Sequence, residues 1–166
     1  MLEKNLNRDL TRLFNEHGWG YKIPDPPAAV ALSASPRPFD GIAAFKDFDF
    51  FFESKLTKNK ISAFQVSRIE PHQFENLLKL RELGKETAVI LGIWIPRKVY
   101  QILVFDVFFL HSLAFKSILK KEIEAYAAAG YAIDMRHTEN FKPIQLVERR
   151  INSLLPLRGG DGKTRK

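Results

Sequence analysis

Asp40 and, thirteen residues later, Glu53-Ser54-Lys55 are the residues whose types and spacing suit chemistry. Side chains alternate across a β-strand, so Glu53 and Lys55 share one face. If 39–45 and 48–56 pair as strands about a turn at Lys46-Asp47, residue 40 falls opposite residue 53, because both pairs of numbers have the same sum. Two carboxylates held side by side repel, and a divalent cation supplies a reason for them to be together. Mg²⁺ takes few carboxylates and prefers to complete its shell with waters and phosphate oxygens. A lysine two residues from a ligand is placed to orient or deprotonate an attacking water, or to stabilise charge developing on phosphorus. Such a site performs metal-assisted phosphodiester hydrolysis. A second reading of the same residues stays open, with Asp40 a turn acid and Glu53 and Lys55 a solvated strand face. Against it, Glu53 follows Phe50, Phe51 and Phe52, a stretch too apolar for an exposed edge.

The elements that must position these residues follow from periodicity. Leu6, Leu10, Leu13 and Phe14 recur at helical spacing and predict an amphipathic helix over 3–17, ended by Gly18 and Gly20. Residues 19–23 read as a short strand. Five prolines between 24 and 38 rule out a helix or a central strand there, so this stretch is a loop. The aromatic runs 39–45 and 48–56 are β-prone. Glu70-Pro71 opens a helix with Pro in its first turn, and Gly84 caps it. Residues 87–95 and 99–105 read as buried strands. The spacing of Phe115, Ile118, Leu119, Ile123, Tyr126 and Ala127 predicts one long helix over 112–129, capped by Gly130. Residues 131–142 carry no clear pattern, and Ile144, Val147, Ile151, Leu154 and Leu155 predict a short last helix after Pro143. This order gives an α/β or α+β fold with a mixed β-sheet flanked by helices.

Composition sets the outer limits. The chain has 166 residues, enough for one domain over 1–157, with Arg158 to Lys166 read as a disordered basic tail. Its 26 Lys and Arg against 19 Asp and Glu leave a net charge of +7, which suits a polyanionic partner. With no cysteine, disulfide scaffolds, Cys-ligated zinc, iron–sulfur clusters and thiol nucleophiles are excluded. The longest run without a charged residue is 26–36, well short of the ~20 apolar residues of a membrane helix. Met1 to Asn5 alternates charge and lacks an apolar segment, unlike a secretory signal. The expectation is a soluble intracellular protein, cytoplasmic and without a membrane partner; its small size fits a phage or archaeal source.

Pro38-Phe39-Asp40 followed by Glu53-Ser54-Lys55 resembles the PD-(D/E)xK nuclease motif, with the proline one residue early. The longer run from Phe52 through Glu53, Lys55, Thr57, Asn59 and Lys60, then Phe64 and Glu70-Pro71-His72-Gln73, is similar to RecU-type Holliday junction resolvases. The step Glu16-His17-Gly18-Trp19 after the first helix looks like the archaeal Hjc resolvases. The resemblance covers about residues 5–106. It implies a restriction-endonuclease-like core, a homodimer, and Mg²⁺ as cofactor with Mn²⁺ as substitute. On this resemblance Asp40 and Glu53 are metal ligands, Lys55 assists the water, and Gln73 opens a helix beside the site. These resolvases often carry a first-helix glutamate about eleven residues before the glycine. Here that position is Asn7, a weaker ligand, and Glu3 lies one turn away on the same face. The long insertion that RecU proteins use as a stalk is absent, so the short form is closer to Hjc.

Basic groups complete the expectation. Lys58, Lys60 and Arg68 lie near the acids in sequence, with His72 a structural or phosphate-contacting residue; Arg97 and Lys98 form a hairpin tip, and Lys116, Lys120 and Lys121 line the predicted 112–129 helix. Together with the net charge they outline a phosphate footprint. Without a helix-turn-helix or zinc-finger signature, recognition follows DNA shape. The resulting expectation is a structure-selective endodeoxyribonuclease that resolves four-way junctions. The alternatives are another PD-(D/E)xK restriction or repair nuclease, and a non-catalytic DNA-binding or packaging protein of the same fold. The aromatic stretch Phe48–Phe52 and Phe108–Phe109 supply apolar surface for a homodimer or for the core.

Overall fold

The computed structural model describes residues 3–27, 36–57, 63–94, 100–113 and 117–155. The elements run α1 (Glu3–His17), β1 (Trp19–Lys22), β2 (Gly41–Ala44), β3 (Asp49–Thr57), β4 (Ala63–Gln65), a 3₁₀ turn (Val66–Arg68), α2 (Pro71–Glu82), β5 (Glu86–Trp94), β6 (Tyr100–Phe105), α3 (Val107–Ser112), β7 (Ser117–Leu119), α4 (Lys120–Ala128), β8 (Ile133–Asp134) and α5 (Gln145–Glu148). Six strands form one mixed sheet in the order β1-β2-β3-β5-β6-β8, and β4 pairs with β7 in a small second sheet. All neighbours in the main sheet are antiparallel except β3 and β5, which α2 connects in parallel. This is a mixed α/β fold with helices on the two faces of its sheet.

The parity of β3 divides the core. Phe50, Phe52 and Leu56 pack with Leu6, Leu10, Leu13 and Phe14 of α1 on one face. On the other, Val89, Leu91, Leu103 and Phe105 pack with Phe74 and Leu77 of α2 and with α3 and α4. Glu53 and Lys55 project on this second side, and Ser54 on the α1 side. A bidentate contact locks α1 to the sheet edge: Asn15 accepts from the Gly20 N–H at 3.0 Å and donates to its carbonyl at 3.2 Å. Gly41, next to Asp40, permits a close approach: a Cβ there would lie 2.5 Å from Phe52 Cζ and 2.9 Å from the Tyr21 carbonyl. At the far end, Arg150 donates to Glu86 at 2.6 Å, pinning the chain after α5 to the start of β5.

Three expectations change. Residues 112–129 do not form one helix. Asp106 caps the short α3 by accepting from the N–H groups of Phe108 and Phe109, and Ser117–Leu119 is a strand against β4. Ile118 is buried beside Phe64 in that pairing, a burial that helical spacing of apolar residues also satisfies, so periodicity alone does not separate the two. The last helix is shorter than predicted: Ile151 bridges to Phe105 as an extended residue. The aromatic stretch is largely core, since Phe50 and Phe52 are buried and Phe48 and Phe51 half-buried. Phe108, Trp19 and Tyr21 are exposed, and the last two stack in parallel with ring centres 5.6 Å apart. The proposed tail, 158–166, lies outside the described residues, and no helix among those described is long and apolar enough to cross a membrane.

Candidate active site

The β2–β3 ladder runs in the register expected from the turn at 46–47, with Gly41 opposite Phe52 and Ile42 opposite Phe51. One step further the Asp40 N–H donates to the Phe52 carbonyl at 3.0 Å, so Asp40, the residue just before β2, sits beside Glu53. Asp40, Glu53 and Ser54 at the β2–β3 ladder and Gln73 of α2 are all buried polar residues. They are brought together from separate places in the chain, with Asn7 of α1 as a fifth member.

Asp40 Oδ2 accepts from the Ser54 N–H at 2.9 Å and from Ser54 Oγ at 2.7 Å. Ser54 Oγ also lies 2.6 Å from Asn7 Oδ1. A hydroxyl has one proton to give, so the arrangement that satisfies all three groups has Ser54 donating to the carboxylate and the Asn7 NH₂ turned toward Ser54. Asp40 Oδ1 is held by Arg37, whose Nη2 stands 2.6 Å away.

Glu53 is fully buried. Its Oε1 accepts from Lys55 Nζ and from Gln73 Nε2, both at 2.8 Å. Its Oε2 is buried and has no hydrogen-bond partner among the described residues. Burial raises the Glu53 carboxyl to about 7, the nearby charge of Asp40 adds to this, and the Lys55 hydrogen bond and charge with the Arg37 charge oppose it. Gln73 is fixed by its own helix: it is the third residue of α2, and its Oε1 accepts from the Glu70 N–H at 3.0 Å in a capping box. The cap that starts α2 therefore also aims an amide at Glu53.

The donor set suits a small hard cation. Two carboxylates lie side by side, and Glu53 keeps a buried oxygen, Oε2, that neither Lys55 nor Gln73 satisfies. Among the described residues no group of three or more His, Cys, Asp or Glu gathers anywhere, so an ion here would keep open positions for water and phosphate oxygens, as Mg²⁺ prefers.

Glu3 does not join the cluster: it receives Arg68 at 2.6 Å. Arg68 also donates to the Leu56 carbonyl at 2.9 Å, so it links the start of α1 to β3 beside Lys55. His72 donates from Nε2 to the Arg37 carbonyl at 3.0 Å, which places it behind the site. Lys58, Lys60, Arg97, Lys98 and Lys116 lie outside the described residues, while Lys120 is exposed and paired with Glu124. Sequence reasoning missed Arg37 and the linking role of Ser54. The signal for Arg37 was a charged residue between Pro36 and Pro38, three positions before the first acid.

No family model and no curated protein matches this chain. Among solved structures it is similar to Hjc, a Holliday junction resolvase from the archaeal hyperthermophile Archaeoglobus fulgidus, with a TM-score of 0.43 and 18% identity over 79% of this chain and 87% of that one. A likeness of this size assigns no activity to the present chain.

Proposed function

We propose that this protein is a divalent-metal-dependent endodeoxyribonuclease acting on branched DNA, with the four-way junction as its substrate, and that it works as a homodimer. The observation that carries the chemistry is the buried pair Asp40 and Glu53, with Glu53 Oε2 unpartnered among the described residues and Lys55 Nζ 2.8 Å from Glu53 Oε1. The preference for a junction is supported by the extended resemblance around Glu53–Lys60 and Gln73, and by the net charge of +7. Symmetric cutting of two strands is served economically by two sites on a twofold axis, which is the reason for the dimer.

Asp40 and Glu53 would hold Mg²⁺ or Mn²⁺. When bound, the ion supplies Lewis acidity, polarising the phosphate and making water a better nucleophile. Asp40 is oriented for this by Ser54, which fixes Oδ2 and leaves Oδ1 facing the site. Gln73 holds Glu53 Oε1, so the rotation of the carboxylate is set and Oε2 points away from its neighbours. Lys55 has a largely buried ammonium that would orient the attacking water and balance charge on the phosphoryl oxygens. The deciding experiment is a cleavage assay on four-way and linear duplex DNA, with and without Mg²⁺. Paired nicks near the branch point, dependent on the ion, are expected. Cleavage of both substrates alike would leave a general nuclease of this fold, and binding without cleavage would leave a DNA-binding protein.

A further inference from the structure

Arg37 is the one strong charge in the cluster to which the nuclease mechanism gives no task. Its guanidinium straddles two acids: Nη2 is 2.6 Å from Asp40 Oδ1 and Nη1 is 2.5 Å from Asp25 Oδ1. The Asp40 side chain is buried and that of Asp25 is 71% exposed, so one arm of the fork reaches into the site and the other toward solvent. The third donor, Nε, is buried and has no partner among the described residues. A buried guanidinium N–H without an acceptor is costly, and it marks a place for an oxygen that the described residues do not supply. The backbone here is held firmly, with Pro on either side and the Arg37 carbonyl taken by His72 Nε2. The long side chain can thus change partner while its Cα stays in place.

Asp40 offers a metal only one oxygen, because Oδ2 is committed to Ser54. That oxygen, Oδ1, is the one Arg37 occupies. A guanidinium and a divalent ion on one oxygen repel each other, so the two compete. Resting on the nuclease reading, we propose that Arg37 is the resident counter-cation of the site, and that it shifts from Asp40 to a non-bridging oxygen of the scissile phosphate once a divalent ion is bound. The planar fork, with its spare Nε–H, matches phosphate oxygens in a way a lysine does not. Asp25 keeps the outer arm near the mouth of the site during the exchange. The DNA-free protein thereby avoids two uncompensated buried acids, and the charge that protects the empty site becomes a catalytic group in the loaded one.

The experiment uses full-length protein at pH 8 and two readouts. Mn²⁺ affinity without DNA is measured by the loss of the free-ion electron paramagnetic resonance signal, and nicking of a four-way junction is measured at saturating Mn²⁺. Arg37→Met is expected to bind Mn²⁺ about tenfold more tightly, because a competing cation is gone, and to nick about 10²-fold more slowly, because a phosphate donor is gone. Arg37→Lys is expected to keep near-normal Mn²⁺ affinity and to recover only part of the rate. Effects of opposite sign on the two readouts are the signature, since a merely structural salt bridge would weaken both together. Arg37→Gln serves in the same way if the Met variant fails to fold by circular dichroism. Arg37→Met that binds Mn²⁺ no more tightly than wild type, or nicks at the wild-type rate, overturns the proposal while leaving the nuclease reading intact. Wild-type protein that binds no Mn²⁺ overturns the metal reading of Asp40 and Glu53 and this proposal with it.

Discussion

The Gln73 amide donates from Nε2 to Glu53 Oε1 at 2.8 Å, while its own oxygen accepts from the Glu70 N–H at the start of α2. One side chain thus starts a helix and orients a buried carboxylate. Gln73→Ala removes both bonds. The cap loss is expected to cost about 1 kcal/mol of stability, read as a lower urea midpoint with an unchanged slope. It also removes one of the two donors on Glu53, so in EDTA the pH at which the fold loses stability through that carboxyl should move higher. A Gln73→Ala profile of stability against pH that keeps the wild-type midpoint would show that this contact does not tune Glu53.

The raised Glu53 carboxyl makes a signed prediction for stability. Because its folded value is about 7 against an ordinary 4.5, the folded state binds the extra proton between those limits. The associated stabilisation is therefore complete below about pH 4.5 and is lost as pH rises through 7. The full difference is about 3 kcal/mol, since each pH unit between the two values is worth about 1.4 kcal/mol. Glu53→Gln carries no such cost at high pH. In EDTA it should melt above the wild type at pH 8, with the gap closing toward pH 5. Equal melting temperatures at both pH values would mean that Glu53 is not held in an environment hostile to its charge.

The hairpin that makes this pair is legible in the sequence. A two-residue turn at Lys46-Asp47 dictates which residues face each other, and the observed partners Gly41–Phe52 and Ile42–Phe51 follow that count. The helix at 3–17 and the one opening at Pro71 are equally clear, because apolar spacing and end signals agree. Local pattern does not carry the 117–119 strand, since Ile118 can bury itself on a helix or in a two-stranded pairing, and only its partner Phe64, more than fifty residues away, decides. Arg37 is hidden for a related reason. In a proline-rich loop a lone arginine reads as solubility, and its charge acquires meaning only where the fold carries it to Asp40.

Asp40→Asn and Lys55→Ala separate ion binding from chemistry. Each is expected to slow nicking by about 10² or more. Asp40→Asn should weaken Mn²⁺ binding, whereas Lys55→Ala should leave the ion bound, since Lys55 serves the water. Junction affinity in EDTA should survive both changes and increase for Asp40→Asn, where a charge that repels phosphate is gone. Folded Asp40→Asn protein that nicks at the wild-type rate would refute the metal assignment.

Junction binding should weaken steeply with salt, because phosphate contacts release counterions. Removing Lys58 and Lys60 together should reduce affinity for all DNA and flatten the logarithmic salt slope by about one to two units. Filter binding across a range of KCl concentrations measures this directly, and an unchanged slope would place the DNA surface on another face.

Ser54 Oγ touches both Asp40 and Asn7, and Asn7 lies 47 positions earlier in the chain. The orientation of Asp40 thus leans, through one hydroxyl, on a helix from the far side of a long proline-rich loop. A chain in which α1 has come loose loses the Asn7 brace on the hydroxyl that holds Asp40 Oδ2. For a protein that would cut DNA this ties the aim of one acid to the docking of a helix that carries no acid of the pair, so competence to cut and completeness of the fold are linked through Ser54.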